Sequence, residues 1–345
     1  MGLCISSSSS RRRNSSVELV DRIISLPDEV RVDRISSLPD EVLIQIISLL
    51  DMRRAVLSGI LSSKWRGLWA NIESLDFDGF KYYGIYDYSD DDKNKPFDLL
   101  ERDDFVKFVV HSLNFHLRPT IHKFRLMFGY KYEYLPYIDE AILFAVRREV
   151  KELFIEFVFG FGKKYKLPAF LFGCESLVSL YLKGCNLLDP EYIRFSSLVS
   201  LSILGACLEN DSILRVIDGC PLLEDLLLEE CAFHRDPLEI WSFSAPGGLP
   251  LKRLTLRNNV SCESDMPILI QIEAPKLEVL NLFSFNMYSD SLNNMLSLRE
   301  VSLEIIPEDA DPMFLPILES WLEALHQVRV VKLCRGCIKV LYTSS

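Results

Sequence analysis

From Ile121 onward one spacing of apolar residues recurs: an apolar residue, another three positions later, a third five later, and a small, apolar, Cys or Asn residue eight later. The clearest copies are Leu177-Val-Ser-Leu-Tyr-Leu-Lys-Gly-Cys185, Leu223-Glu-Asp-Leu-Leu-Leu-Glu-Glu-Cys231 and Leu251-Lys-Arg-Leu-Thr-Leu-Arg-Asn-Asn259. Others start at Ile121, Val150, Leu198, Leu277, Leu298 and Val328, so that nine starts follow one another at 21 to 30 residues. Each copy predicts a short strand whose alternate residues point into a shared core, with the Cys or Asn bonding backbone left unpaired at the turn. No copy can bury its apolar face alone, so the copies stack into a curved solenoid with a parallel sheet on its inner wall. Pro190 to Phe195, Ser212 to Ile217 and Pro312 to His326 supply returning helices or turns. Asp98 to His116 has helical spacing and is expected to cap the N-terminal end, with a second helix over Ile138 to Arg148.

The pattern before this region is different. Ser37-Leu-Pro-Asp40 reads as a helix start, with Ser37 as cap and Pro39 in the first turn. The following stretch, Val42 to Leu50, is apolar almost all round, with only Gln45 and Ser48 to face water. Such a helix has to be covered on more than one side. Two further short helices are expected around Arg53 to Leu61 and Ser63 to Ala70, in a unit of about 40 residues that is too small to hide this surface unaided. A partial duplicate of its start, Asp21 to Val30, precedes it and does not continue into a helix. The chain therefore divides into a tail (1–32), a helical module (33–80), an acidic Tyr-rich loop (81–97), a helical cap (98–120) and a repeat domain of about nine irregular repeats (121–345), an α/β architecture.

Composition narrows the function. With 49 acidic against 38 basic side chains and a net charge of -11, the chain lacks the basic footprint of a nucleic-acid binder and points to protein partners. Its nine cysteines are scattered and read as reduced thiols of a cytoplasmic or nuclear protein. Cys334-Arg-Gly-Cys337 has the spacing of half a zinc site, but no second pair accompanies it, so no metal or other cofactor is expected. No Gly-rich phosphate loop, His-Glu-x-x-His or activated nucleophile is present, and the five His share no ligand spacing, so catalysis is not expected. In the tail, Gly2 with Ser6 fits a myristoylation pattern and Cys4 a palmitoylation site beside Arg11 to Arg13, the elements of a peripheral membrane tether.

The run from Asp33-Arg-Ile-Ser-Ser-Leu-Pro-Asp-Glu-Val-Leu through Ala55-Val and Ile60-Leu-Ser-Ser-Lys-Trp65-Arg-Gly-Leu-Trp69 resembles the F-box of plant F-box/leucine-rich-repeat proteins. Later segments, among them Val150-Lys-Glu-Leu153, Cys174-Glu-Ser-Leu-Val-Ser-Leu180 and Gly219-Cys-Pro-Leu-Leu-Glu-Asp-Leu226, are similar to members of that family that often end in an FBD domain, which the residues given after Leu333 are not expected to form in full. The resemblance implies a substrate-recognition subunit of an SCF-type ubiquitin ligase. Leu38, Pro39, Val42, Ile46, Leu49, Leu50, Val56, Leu61, Trp65, Leu68 and Trp69 would then supply the surface and core that bind a Skp-type adaptor and, through it, a cullin-RING ligase. Where the family has a Leu-Pro-Thr-Lys linker, this chain has Leu50-Asp-Met-Arg53, which leaves the turn without its Pro.

In each repeat the residues two, four and six positions in should face the concave wall. Phe154, Tyr181, Leu204, Leu227 and Phe283 keep that wall partly apolar, and Arg253 and Arg257 stand among charges that change sign from rung to rung. Apolar anchors flanked by charge suit a protein target of unknown identity. The rival reading is a leucine-rich scaffold or small-molecule sensor that does not act through ubiquitin.

Overall fold

The computed structural model describes residues 34–84, 103–158, 164–187, 192–209, 212–234, 240–245, 248–257, 260–261, 268–283, 287–293, 295–304 and 314–343. Gly2, Cys4, the duplicate at Asp21 to Val30 and most of the acidic Tyr-rich loop lie outside them.

Ten strands form one parallel sheet in chain order: β1 (Ser74–Asp78), β2 (Lys123–Gly129), β3 (Glu152–Val158), β4 (Ser179–Lys183), β5 (Ser200–Leu204), β6 (Asp225–Glu229), β7 (Arg253–Arg257), β8 (Val279–Phe283), β9 (Glu300–Glu304) and β10 (Val330–Leu333). Every repeat read from the sequence carries one of these strands. Equivalent positions sit side by side, so that Leu75, Phe124, Leu153, Leu180, Leu201, Leu226, Leu254, Leu280 and Val301 form one continuous buried row. The next residue in that row, Val331, lies on the last strand of the sheet among the described residues and is 37% exposed.

The turns after β4, β5 and β6 share one device. Gly184, Gly205 and Glu230 adopt positive φ of 72°, 63° and 52°, and each donates its N–H to the last carbonyl of the following strand. The Cys and Asn beyond them act as expected: Cys231 Sγ bonds the Ile203 and Glu229 carbonyls, and Asn186 Oδ1 accepts from the Cys207 N–H at 3.0 Å.

Strand β1 is an addition, since the first strand was expected only at Ile121. It lies within the range assigned to the helical module and follows the same spacing through Ile72, Leu75, Phe77 and Phe80. Two boundaries shift in consequence. The repeats begin at about Ile72 rather than Ile121, and the helix Asp103–Phe115 lies within the first repeat, between β1 and β2, instead of capping the end.

The helices are α1 (Asp40–Ile47), α2 (Met52–Leu57), α3 (Gly79–Tyr82), α4 (Asp103–Phe115), α5 (Leu135–Arg147), α6 (Ser212–Asp218), α7 (Phe314–Ala324) and α8 (Arg335–Thr343). Helix α1 starts later than read. Its cap is Pro39, without a side-chain bond, while Ser37 Oγ donates to the Arg34 carbonyl. The third expected helix of the module is reduced to turns and a 3-10 segment at Leu68–Asn71, because Gly67 at φ 81° breaks the run.

The module and the sheet share one hydrophobic core running from Leu43 to Cys337. Backbone bonds join them as well, from Leu117 N–H to the Ala70 carbonyl and from His122 N–H to that of Glu73, both at 2.8 Å. His116 sits at this seam, 4% exposed, with Nε2 bonded to the Ile72 carbonyl at 2.9 Å and Nδ1 without a partner. Burial lowers its pKa from the ordinary 6.5, the nearby Arg148 charge lowers it further, and the bond to Ile72 opposes both. Below pH 6.5 the unfolded chain therefore takes up a proton that the folded chain refuses. Stability is intact above that pH and falls beneath it, by up to about 1.4 kcal/mol per pH unit, until the folded pKa is reached. His116→Gln keeps a donor for Ile72 and should remove this part of the slope when urea midpoints are compared across that range.

Candidate protein-interaction surfaces

Helix α1 turns two apolar faces in opposite directions. Leu43 and Ile47, one turn apart, are fully buried against the rest of the module. Val42 and Ile46 of α1 and Leu49 in the turn just beyond its end, spaced four and three residues apart, face outward and are 37%, 38% and 86% exposed. In the following segment Leu57, Ile60 and Leu61 are also open to solvent, at 48%, 79% and 70%. Six large aliphatic side chains left wet in so short a module are what a docking face needs before its partner arrives.

The residues expected to contact the adaptor thus divide. Pro39, Val42, Ile46, Leu49 and Leu61 are exposed, and Leu38, Leu50, Val56 and Trp69 are half-buried against the core. Trp65 and Leu68, by contrast, point inward at 6% and 8% exposure, so that of the surface and core residues implied by the resemblance these two fall in the core of the free chain. Trp65 Nε1 donates to Ser36 Oγ at 2.7 Å, tying the end of the module to its start. Leu57 and Ile60 were missed. Their exposure depends on the turn of the chain after α2, which periodicity does not fix.

The linker without proline is held another way. Asp51, 8% exposed, caps α2 by accepting the Arg54 N–H at 3.0 Å, and its carboxylate pairs with Arg54 Nε at 3.4 Å. Asp51→Ala should cost about 1 kcal/mol of stability, read by chemical denaturation, through loss of that cap.

On the concave wall the alternate positions face one way, as expected, and the in-register sheet brings unlike charges together. Ion pairs join Lys123 to Glu152 at 3.5 Å, Lys183 to Glu156 at 3.2 Å, Arg253 to Asp225 at 2.6 Å and Arg257 to Glu229 at 3.5 Å. Arg253 and Arg257, read as target contacts, are therefore engaged with their own wall, though both side chains stay about half exposed. Phe154 and Tyr181 stack with ring centres 4.0 Å apart and planes 3° from parallel, and the Arg125 guanidinium lies 4.9 Å from the Phe154 ring. Arg125 is itself held by Asp76 at 3.0 Å and Asp78 at 2.6 Å. Arg257 lies 4.7 Å from the Phe283 ring. With Leu204 and Leu227, all of these rings are half-buried, which leaves apolar area in contact with solvent on a charge-paired surface.

Among the described residues no group of His, Cys, Asp or Glu could hold a metal ion, and no helix is long and apolar enough to cross a membrane. Burial pushes the thiol of Cys185 up, and those of Cys220 and Cys231 up to about 12, so these sulfurs stay protonated and packed.

Fold and surfaces together define a leucine-rich-repeat protein with a small helical module packed against its first strand. The family model described as "FBD-associated F-box protein At5g56370, LRR repeats" matches residues 139–247. The chain is similar to the F-box protein At4g09920 of Arabidopsis thaliana, 30% identical over 317 residues that cover 90% of this chain and 86% of that one. It is also 30% identical to the F-box/LRR-repeat protein At1g55660 of the same plant, over 82% of this chain and 70% of the relative. The F-box/FBD/LRR-repeat protein At1g13570, also from Arabidopsis thaliana, is 34% identical over 58% of this chain, which spans only 44% of that relative. The chain belongs to the plant F-box/leucine-rich-repeat family.

Proposed function

We propose that this chain is the substrate-recognition subunit of an SCF-type ubiquitin ligase, a non-catalytic adaptor that docks on a Skp-type protein through its F-box and holds a protein target on its repeats. The observation that carries this reading is the outward face of α1. Val42, Ile46 and Leu49 are exposed although Leu43 and Ile47 already supply the core contact, so the module displays more apolar surface than its own fold uses. In the assembled ligase this face is covered by the adaptor, which links the chain to the cullin and RING subunits that perform ubiquitin transfer. The target lies along the concave wall, where the Phe154–Tyr181 stack, Leu204 and Leu227 supply anchors and the paired charges around them set selectivity.

The test is reconstitution. Co-expressed with a Skp-type adaptor, the chain should elute as a stoichiometric complex that then captures a cullin with its RING subunit. A chain that remains folded and monomeric in the presence of adaptor would favour the rival reading, a leucine-rich scaffold or small-molecule sensor that does not act through ubiquitin.

A further inference from the structure

The last strand and last helix meet at Cys334-Arg-Gly-Cys337. Cys334 follows β10 directly and opens α8, and its position is set by three backbone contacts. Its N–H donates to the Leu303 carbonyl at 3.0 Å, its carbonyl accepts the Ile338 N–H at 3.2 Å, and its sulfur accepts the Cys337 N–H at 3.4 Å. Cys337 is fully buried, with its thiol 3.8 Å from the same Leu303 carbonyl, whereas Cys334 is half-buried. The two sulfurs lie 3.5 Å apart. A disulfide bond is about 2.0 Å long, so closure needs the two sulfurs to approach by about 1.5 Å across the first helical turn.

We infer that Cys334 and Cys337 form a thiol–disulfide exchange site, with Cys334 as the attacking sulfur and Cys337 as the resolving one, and low-molecular-weight disulfides of the glutathione type as the oxidant. Cys334 loses its proton to solvent and attacks one sulfur of the incoming disulfide, whose S–S bond breaks to release one thiol. Cys337 then gives up its proton and attacks Cys334 in the mixed disulfide, expelling the second thiol. The net change is one new protein disulfide and one small disulfide reduced to two thiols. The direction follows from burial, since only the half-exposed sulfur can meet the reagent. The pair combines a half-buried sulfur with a fully buried one, whereas Cys174, Cys185, Cys220 and Cys231 are all buried.

The full chain is incubated with oxidised glutathione, remaining thiols are alkylated, and the protein is digested with trypsin without reduction. Cleavage after Arg335 separates the two cysteines, so the closed form yields Leu333–Arg335 joined to Gly336–Lys339 as one cross-linked species, whereas the open form yields two alkylated peptides. Near-complete conversion to the linked species, reversed by dithiothreitol, is the expected result. Two alkylated peptides, or a stable glutathione adduct on Cys334 in the wild-type chain, would overturn the proposal. Cys337→Ser should trap that adduct on Cys334. If this variant does not fold, the wild-type digest still decides.

Discussion

Leu49→Asp should lower the affinity for a Skp-type adaptor by at least about 100-fold, while the unfolding free energy of the isolated chain stays within about 0.5 kcal/mol of wild type. The two halves of this result have separate causes. In the free chain Leu49 is 86% exposed, so a carboxylate there is solvated and disturbs nothing. In the proposed complex the same position would lie in a desolvated apolar contact, where burying an unpaired charge costs several kcal/mol and the lost aliphatic contact adds to it. Ile46→Asp, one turn away, should act in the same direction. Ile47→Asp separates docking from folding, because Ile47 is fully buried and a charge there should unfold the module itself. Calorimetric titration of the adaptor paired with urea denaturation of the free chain reads both quantities. Wild-type affinity for Leu49→Asp would remove the outward face of α1 from the docking surface.

Much of the architecture was legible because in-register parallel strands repeat one burial rule. Leu180, Leu201, Leu226 and Leu254 occupy equivalent offsets in their repeats and meet in one row. The cross-strand ion pairs follow from the same regularity, since sign changes between Asp225 and Arg253, or Glu229 and Arg257, become contacts once the strands align. Strand β1 was hidden by its setting. Ile72, Leu75, Phe77 and Phe80 obey the spacing, but the next copy begins only at Ile121, beyond the inserted helix α4, so the period is interrupted where it starts. The phase of α1 came from the family resemblance, which named Val42, Ile46 and Leu49, and not from the apolar pattern. With apolar residues on nearly every side, periodicity does not say which face turns inward, and only the packing of Leu43 and Ile47 against the remainder of the module decides it. Whether Trp65 belonged to surface or core was left open on the same ground, because a large aromatic in such a module satisfies the pattern of an anchor and of a core residue equally well.

Trp65 now carries the sharper test of that division. At 6% exposure and with its indole N–H bonded to Ser36 Oγ, it closes the module from beneath, and Trp65→Ala should destabilise the chain by about 3–5 kcal/mol through the cavity it opens. Because the module and the sheet share one core, and α2 packs on β1, this loss should shift a single unfolding transition instead of creating a separate early one. Adaptor binding should weaken as well, but for a reason unlike that of Leu49→Asp. Val42, Ile46 and Leu49 are unchanged, so the variant binds in proportion to its folded fraction, and saturating adaptor should draw it back to the folded state by mass action. Trp65→Phe retains most of the buried area and should recover most of both properties. A Trp65→Ala chain that unfolds like wild type yet fails to bind at saturating adaptor would place the indole on the docking face after all.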